Sequence, residues 1–435
     1  MRRRPTVVPL RGDLPARPSA ARKAADGSSI GAFGVMRSID ELLGPPVCFI
    51  LGLALSLIRR LRRRSETPAA PAKVLVIKFW GMGSIVLTTP ALRALKKAYP
   101  ACHITFLTFD QNESMCRMIP SIDRVYPYRA DGAVAFLRSF ARLVGFLRRE
   151  RFDLALDFEF FANFTAILAG IADAPMTVGF HSPKFWRDSL YTTPVRFEHA
   201  HITENFLKLA KAAGGKADGH ELDAPVVGRP AARVALNQLL SERKLARTDH
   251  LVCVNINASS LDYKRRWPIE SYRQLIERIL TDFDRVRLVL IGSKDEAPYV
   301  ARLTRLLGPR AAVVDLCGLL TVEQLALLLR RSALFIGNDS GPLHLAAAAG
   351  IPTVSFFGPE TPALYGPRGG AHTIFYAEIP CSPCLNVYNS KDNSHCRDNV
   401  CMQSIPVDEV WAAVFERLTG IVNTWPTVKR AERWR

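Results

Sequence analysis

Residues 73–84, KVLVIKFWGMGS, decide the fold of this chain. The β-branched and apolar run at 73–79 predicts a buried strand, and the two glycines after it predict a tight turn. A helical pattern follows at 85–98. A strand, a glycine turn and a helix in this order open a βαβ unit, which implies a parallel sheet with helices on both faces.

The alternation continues along the chain and then starts again after a basic, helical connection at 226–248. Two such halves predict an α/β arrangement of two doubly wound domains facing a cleft, with ligands beyond the carboxyl ends of the strands. Further strands are predicted at 103–109, 153–158, 251–256, 286–291, 334–337 and 353–357, and further helices at 134–149, 270–281, 322–330 and 341–349.

Length and composition agree with this domain organisation. The 435 residues, 48% hydrophobic and 23% charged, suit two or three domains with large cores. They exclude a wholly disordered or collagen-like chain. We place the N-terminal domain at 73–225 and the C-terminal domain, with its terminal helix, at 249–435.

Positive charge is concentrated near the N-terminus. Of a net charge of +18, residues 1–64 contribute half, with 13 basic and 4 acidic side chains. This distribution favours a membrane-facing segment over a nucleic-acid groove. Since no nucleic-acid-binding motif is found, we expect no nucleic-acid partner.

The N-terminal region divides into a disordered basic tail at 1–41 and an apolar, membrane-associated segment at 42–64. Its uncharged part, 42–58, is at the lower limit of the roughly 17–25 residues that span a bilayer. We expect Pro45 and Pro46 to break its first turn. The pattern favours a peripheral or monotopic helix, interfacial or re-entrant, with the following arginines on anionic headgroups. A helix packed on the globular body is the alternative.

Three segments at predicted strand ends contain residues suited to a ligand. Gly81 and Gly83 let the backbone approach a ligand closely, although a tight turn without a ligand stays open. Residues 259–268, SSLDYKRRWP, combine hydroxyls with three consecutive cations that suit a phosphate. A solvated basic loop is the alternative there.

The third segment is residues 337–344, GNDSGPLH, before a helix of small residues. Asp339 or Ser340 is placed to cap that helix, and Pro342 fits its first turn. The free N–H groups would bind a phosphate or a developing negative charge. An ordinary capped helix with a packed histidine explains the cap but gives no reason for His344.

These segments together resemble glycosyltransferase family 9, the ADP-heptose:lipopolysaccharide heptosyltransferases. The resemblance extends over about residues 73–415 and includes LTTPAL at 87–92, KRRWP at 264–268 and FFGP at 356–359. It implies a GT-B fold with the donor in the C-terminal domain and the acceptor in the N-terminal domain. It also implies two Rossmann-like domains, ADP-heptose as the nucleotide-sugar donor and no cofactor. The acceptor it implies is a lipid-linked saccharide at the cytoplasmic face of a bacterial inner membrane.

The family pattern assigns roles to individual residues of this sequence. By resemblance, Ser260 and Lys264 bind donor phosphates and Glu296 contacts the ribose. The residues that line the pyrophosphate and the transferred sugar are Asp339, Ser340, Gly341 and His344. Lys264 would also stabilise the charge of the leaving diphosphate, an electrostatic role of the kind that contributes most to catalysis.

One position departs from the family. Family members carry Asp after the second glycine of the first turn, as the general base, and here that residue is Ser84. A serine hydroxyl cannot take a proton at neutral pH without its own base. The nearest carboxylates are Asp157 and Glu159. We expect Glu159, among phenylalanines, to be the relocated base, because desolvation favours proton uptake.

Other interpretations of these residues remain. A metal-binding pair is another interpretation of Asp157 and Glu159. Glu159 alone could also be a solvated loop carboxylate or a cap of the following helix. With Ser84, the chain could instead be a non-catalytic nucleotide-sugar-binding protein. The third functional class is a GT-B sugar-nucleotide epimerase. Such an enzyme needs no lipid acceptor, so it leaves the apolar segment unexplained.

Four cysteines cluster near the C-terminus: Cys381, Cys384, Cys396 and Cys401. Their spacing is compatible with a zinc or disulfide clip of the loop, but we favour simple reduced thiols. No metal is expected in the reaction itself.

Overall fold

The computed structural model describes residues 6–10, 30–61, 70–129, 133–160, 162–182, 186–246, 248–258, 263–385, 396 and 398–424. These residues form two compact units. The N-terminal unit contains the described residues from 30 to 220, and the C-terminal unit contains those from 221 onward together with the strand at 6–10.

Both units are built from parallel strands that alternate with helices. The strands are β1 (Thr6–Leu10), β2 (Lys73–Ile77), β3 (His103–Phe109), β4 (Arg124–Tyr128), β5 (Leu154–Asp157), β6 (Met176–Phe180), β7 (Thr193–Val195), β8 (His250–Asn255), β9 (Val286–Leu290), β10 (Val313–Asp315), β11 (Leu334–Asn338), β12 (Thr353–Phe357) and β13 (His372–Ala377). The helices are α1 (Ile30–Leu61), α2 (Met82–Val86), α3 (Thr89–Ala98), α4 (Glu113–Cys116), α5 (Ala133–Glu150), α6 (Asn163–Ile171), α7 (Ile202–Ala212), α8 (Pro230–Glu242), α9 (Ile269–Asp282), α10 (Ala297–Leu307), α11 (Val322–Arg331), α12 (Gly341–Ala348), α13 (Pro362–Tyr365), α14 (Val400–Gln403) and α15 (Val407–Thr424).

The two sheets have the same strand order. The N-terminal sheet runs β4-β3-β2-β5-β6-β7, and the C-terminal sheet runs β10-β9-β8-β11-β12-β13 with β1 added at its edge. Counted within each unit, this is the 3-2-1-4-5-6 order of doubly wound folds. The order reverses between β2 and β5 in one unit and between β8 and β11 in the other, so these two points are where a ligand is expected.

The predicted α/β class with two Rossmann-like units is confirmed. Every strand predicted from the sequence is present within two residues of its expected ends. The helix expected at 85–98 is instead two helices, α2 and α3, separated at Leu87 and Thr88. The predicted connection at 226–248 contains α8 and belongs to the C-terminal unit, because the units divide after His220.

The N-terminal region differs from its prediction. Within the predicted disordered tail, residues 6–10 form a strand that pairs with β13, and residues 30–41 are the first part of helix α1. The expected break at Pro45 and Pro46 is also absent, because α1 continues through both prolines. Packing against the N-terminal unit accounts for this ordered helix. Asp40 caps α6, where its carboxylate oxygens accept the N–H groups of Asn163 and Phe164 at 2.8 and 2.7 Å.

One face of α1 is part of the core of the N-terminal unit. Gly44, Cys48, Gly52 and Leu55 are buried at helical spacing, and the helix contacts α6 and the short 3-10 turn Arg187–Leu190. The glycines permit close approach, because a Cβ added to Gly52 would lie 2.6 Å from that of Ser189. The helix is therefore an integral element of this unit.

Candidate functional site

The C-terminal unit ties three segments together at its topological switch point. Asn338, the last residue of β11, is fully buried. Its Nδ2 donates to the backbone oxygens of Ile256 and Asn257 at 3.0 and 3.1 Å. Its Oδ1 accepts the Trp267 N–H at 2.9 Å. One amide side chain thus fixes the loop after β8 and the KRRWP segment against the end of β11.

Arg265 is the cation of the KRRWP segment that contacts Asp339. Its Nη1 lies 3.0 Å from Asp339 Oδ2 and 3.2 Å from the backbone oxygen of the same residue. Both side chains are nearly buried, with exposed fractions of 12% and 8%. The sequence analysis assigned Lys264 of the same segment to the donor phosphates by family resemblance, and that role stays a prediction. The backbone oxygen of Lys264 accepts Asn399 Nδ2 at 3.2 Å.

The helix α12 begins at this cluster without a side-chain cap. Ser340 is its N-cap residue but makes no capping bond. Its hydroxyl instead donates to the backbone oxygen of Asn338 and accepts Asn255 Nδ2, at 3.1 and 3.0 Å. The helix starts at Gly341, and His344 in its first turn is buried with Nε2 at 3.9 Å from Asp339 Oδ1. The structure thus brings four of the predicted donor residues together.

Glu296 has a local structural partner. Its Oε2 accepts the Ser293 N–H at 2.8 Å, and the two residues form a reciprocal capping box before α10. This bond explains a carboxylate at that position, and the predicted ribose contact stays a prediction. Ser260 lies outside the described residues.

In the N-terminal unit, a buried ion pair fixes the backbone at the start of the turn after β2. Glu159 Oε1 accepts Lys78 Nζ at 2.8 Å, with side-chain exposures of only 7% and 3%. The same oxygen accepts the N–H groups of Phe79 and Trp80 at 2.8 and 2.9 Å. Lys78 also donates to the Trp80 oxygen at 2.8 Å. These bonds position the glycine turn, and they leave Oε2 as the oxygen of Glu159 that could take a proton.

The glycine turn itself has the backbone that its sequence predicts. Gly81 has φ of +83°, a conformation that favours glycine, and it precedes α2. Gly83 is buried and Ser84 is partly exposed. A Cβ added to Gly81 would lie 3.2 Å from Ser84 Oγ. The residue at the usual base position therefore lies directly against the turn.

Asp157 is fully buried and pairs with a buried arginine. Its Oδ2 lies 3.5 Å from Arg187 Nη2 and accepts the Tyr191 and Thr165 hydroxyls at 2.7 and 2.9 Å. Burial raises the pKa of Asp157 to about 6, against the opposing effect of Arg187. With no exposed surface, this carboxylate cannot contact an acceptor in this structure, and we assign it a structural role.

The contacts of both carboxylates also count against a metal-binding pair. Asp157 faces Arg187 and Glu159 faces Lys78, so each charge already has a buried cationic partner. Within the part of the chain that the structure describes, no group of three or more His, Cys, Asp or Glu side chains is arranged to hold a metal ion.

The nine cysteines form no disulfide. In the C-terminal cluster Cys381 is exposed, while Cys401 is buried with its thiol pKa raised to about 12, first by burial and then by the charges of the other three cysteines. The thiols are therefore free in this structure.

The model of glycosyltransferase family 9 (heptosyltransferase) matches residues 140–395. This range includes the β8–β11 switch point, the KRRWP segment and the start of α12. The chain belongs to glycosyltransferase family 9. The expected enzyme class is thereby confirmed, because its homologues are named heptosyltransferases.

Family 9 relatives match the chain over most of its length. Lipopolysaccharide heptosyltransferase 3 of Escherichia coli is 25% identical over 348 residues, which covers 76% of this chain and 95% of that protein. A family 9 glycosyl transferase from Veillonella parvula superposes with a TM-score of 0.66 at 22% identity, over 80% of this chain and 97% of that one. The Escherichia coli ADP-heptose lps heptosyltransferase II gives 0.64 at 18% identity, over 80% and 99%. These structures show a shared GT-B fold.

Proposed function

We propose that this family 9 member is an inverting, metal-independent glycosyltransferase that moves a heptose from ADP-heptose to a lipid-linked saccharide such as a lipopolysaccharide core. The acceptor oxygen bonds to the anomeric carbon from one side while the bond to the diphosphate breaks on the other. The observation that carries the proposal is the cluster of Arg265, Asp339 and the uncapped start of α12 at the C-terminal switch point.

The donor diphosphate would bind at this cluster. N–H groups at a helix N-terminus favour an anion, and a guanidinium binds phosphate oxygens through two parallel bonds. Asp339 and Asn338 fix Arg265 and the KRRWP segment before the donor arrives. Groups that are positioned in advance stabilise a developing charge at no cost of reorganisation. Ser340, Gly341 and His344 would line the same diphosphate and its sugar.

The acceptor would bind at the carboxyl edge of the N-terminal sheet. The glycine turn at 81–84 lies there, fixed by Glu159 and Lys78. Ser84 cannot accept the proton of the acceptor hydroxyl by itself. The sequence analysis predicts Glu159 for that step. Because Glu159 is buried and its Oε1 accepts three donors that fix the turn, we assign it a positioning role, and another base at this edge of the sheet takes the proton.

Helix α1 would hold the enzyme at the membrane surface where an amphiphilic acceptor lies. One helix in the described residues, at 40–58, is long and apolar enough to cross a bilayer. Its inner face, however, packs on α6 and the Arg187–Leu190 turn. A helix with lipid on all sides cannot keep those contacts. We therefore propose an interfacial position for it on the cytoplasmic face of the inner membrane.

The outer face of α1 supports that position. It exposes a stripe of large apolar side chains, and five arginines follow at 59–64. Apolar surface beside a polybasic flank matches an anionic bilayer surface. The exposed side chains are Leu42, Leu43, Val47, Phe49, Ile50, Leu53, Leu57 and Ile58.

The reaction is tested by measuring ADP release from ADP-heptose with the full chain and a heptose-deficient lipopolysaccharide preparation. We expect release only when both substrates are present. Release of nucleotide without any acceptor would instead support an epimerase-like or hydrolytic activity and would contradict the proposal.

Ser84 favours a second candidate, a binding protein that retains the donor site without catalysis. It predicts that ADP-heptose binds and is recovered unchanged with every acceptor offered. Substitution of Ser84 by Asp separates the two functions. A gain of turnover only in Ser84→Asp would support the binding protein, whereas turnover by the wild-type chain would exclude it.

A further inference from the structure

The N-terminal unit contains a histidine–aspartate pair that the site described above does not use. His181 follows β6, and its Nδ1 is hydrogen-bonded to Oδ2 of Asp188 in the 3-10 turn Arg187–Leu190. The other oxygen of Asp188 accepts the Ser182 N–H at 3.0 Å. Asp188 is thus held by a backbone donor while it orients the imidazole.

This pair lies at the same edge of the sheet as the glycine turn. Ile77, Asp157 and Gly179 are in register across β2, β5 and β6. Glu159 and His181 therefore both stand two residues beyond that row. Neighbouring strands are about 4.8 Å apart, which places the end of β6 about 10 Å from the end of β2. His181 therefore lies at the same carboxyl edge of the sheet as the glycine turn that we assign to the acceptor.

The hydrogen bond to Asp188 determines which ring nitrogen can act as a base. A carboxylate only accepts hydrogen bonds, so Nδ1 carries the proton and Nε2 keeps its lone pair. The His181 side chain is 37% exposed, and among the described residues Nε2 has no hydrogen-bond partner. A carboxylate that fixes the tautomer and stabilises the imidazolium is the arrangement by which histidine acts as a general base.

The backbone around the pair is fixed from two sides. The His181 N–H donates to the Val195 oxygen of β7 at 2.8 Å. Arg187, next to Asp188, is fully buried and donates to the backbone oxygens of Phe160 and Glu159 at 2.7 and 3.0 Å. An ordinary surface ion pair joins two flexible side chains whose backbones are not held in this way. The fixed backbone on both sides therefore distinguishes the His181–Asp188 pair from an ordinary surface ion pair.

We propose that His181 is the general base of the transfer, positioned by Asp188, and that it replaces the carboxylate absent at Ser84. The inference rests on the proposed glycosyl transfer. His181 Nε2 takes the proton of the acceptor hydroxyl as its oxygen bonds to the anomeric carbon. The electron pair of the broken bond leaves on the nucleotide diphosphate. Glu159, with Oε1 bonded to three donors, then serves to position the turn.

The test compares His181→Ala with His103→Ala, since His103 begins β3 at the opposite edge of the same sheet. The full chain is assayed with ADP-heptose and heptose-deficient lipopolysaccharide. For His181→Ala we expect kcat to fall by about 100-fold or more, with the donor KM little changed. Added imidazole should restore a measurable part of kcat. His103→Ala should keep the wild-type kcat with and without imidazole.

Asp188→Asn tests the positioning role. It should lower kcat but not raise the donor KM, and the double variant with His181→Ala should be no slower than His181→Ala alone, because both changes disable one unit. Circular dichroism and a thermal melt of each variant confirm that the N-terminal unit, which contains both residues, is folded.

The outcomes separate the two proposals. An active wild type with His181→Ala within threefold of its kcat would overturn the base assignment and leave the transferase function intact. Loss of kcat in His181→Ala without any recovery in imidazole, with a lowered melting temperature, would mark the residue as structural and overturn the assignment too. A wild type inactive with ADP-heptose and acceptor would overturn the proposed function and this inference with it.

Discussion

Arg265 Nη1 lies 3.0 Å from Asp339 Oδ2, and this pair joins the KRRWP segment to the start of α12. Both partners are nearly buried, so the arginine is fixed before any donor binds. A prepositioned guanidinium beside a helix N-terminus is suited to a diphosphate. The pair connects the fold of the C-terminal unit with the reaction that we propose for it.

We predict that Arg265→Ala weakens ADP binding by about tenfold or more, since a charge-assisted contact is worth roughly 1.5–3 kcal/mol. Lys264→Ala is the matched control and should change the ADP dissociation constant by less than about threefold. Calorimetric titration of each variant with ADP measures both. A larger loss in Lys264→Ala would restore the assignment made from the sequence.

The Lys78–Glu159 pair should be important for the stability of the N-terminal unit. Glu159→Gln leaves Lys78 buried without its counter-charge, so we expect the free energy of unfolding to fall by about 3–5 kcal/mol. The double variant Lys78→Met/Glu159→Gln should recover part of this loss, because it removes the uncompensated charge. Denaturant unfolding of the three proteins is the measurement. Equal stability of Glu159→Gln and wild type would contradict the inferred role.

The close packing of α1 predicts opposite effects at two helical glycines. Gly52→Ala should destabilise the N-terminal unit by about 1–3 kcal/mol, because its Cβ would collide with Ser189. Gly145 in α5 has no atom within 4 Å of an added Cβ, so Gly145→Ala should stabilise by about 0.5–1 kcal/mol. Thermal melts of both variants decide the matter, and a destabilised Gly145→Ala with unaffected Gly52→Ala would refute the packing.

Membrane docking should depend on the outer face of α1. Leu53→Asp should reduce sedimentation with phosphatidylglycerol-containing vesicles, since it places a negative charge in the apolar stripe. Val234→Asp is a matched control, because Val234 in α8 is as exposed as Leu53, at 65% each. Undiminished vesicle binding by Leu53→Asp would contradict the interfacial position. Substitution is preferable to deletion of residues 1–64, which would uncover the α6 surface.

His372 gives the C-terminal unit a predictable loss of stability in acid. Burial lowers its pKa from 6.5 to about 4, so between these values the unfolded chain binds a proton that the folded chain does not. The contribution of neutral His372 to the free energy of unfolding is fully present above about pH 6.5. It is lost as pH falls towards 4, by an amount on the order of 3 kcal/mol. His372→Gln should remove this part of the pH dependence. Denaturant unfolding at about pH 7 and pH 4.5 compares the variant with wild type, and identical pH dependence would contradict the account.

The periodic, buried parts of the fold could be predicted from the sequence, and the marginal ones could not. Strands such as β3 and β12 are rich in β-branched and aromatic residues, and the sequence predicts their bounds to the residue. The strands β7 and β10 have only three residues each, too few to show a period. β1 was missed because its five residues lie in a basic, proline-containing tail, where only pairing with β13 makes a strand.

The site shows the same division. The motif at 337–344 placed Asp339, Ser340 and His344 together correctly, because a glycine-flanked strand-to-helix turn has a local signature. Arg265 could not be distinguished from its neighbours in a run of three cations. His181 and Asp188 are seven residues apart with no motif between them, so only the folded loop reveals their contact.

The central claim, transfer of a heptose to a lipid-linked saccharide, is tested most directly by the mass of the acceptor after incubation. The wild-type chain is mixed with ADP-heptose and heptose-deficient lipopolysaccharide, and the acceptor is analysed by mass spectrometry. We predict a product heavier by one heptose residue and an equal amount of ADP. An unchanged acceptor, with ADP-heptose bound to the protein and recovered intact, would contradict the claim and identify a binding protein instead.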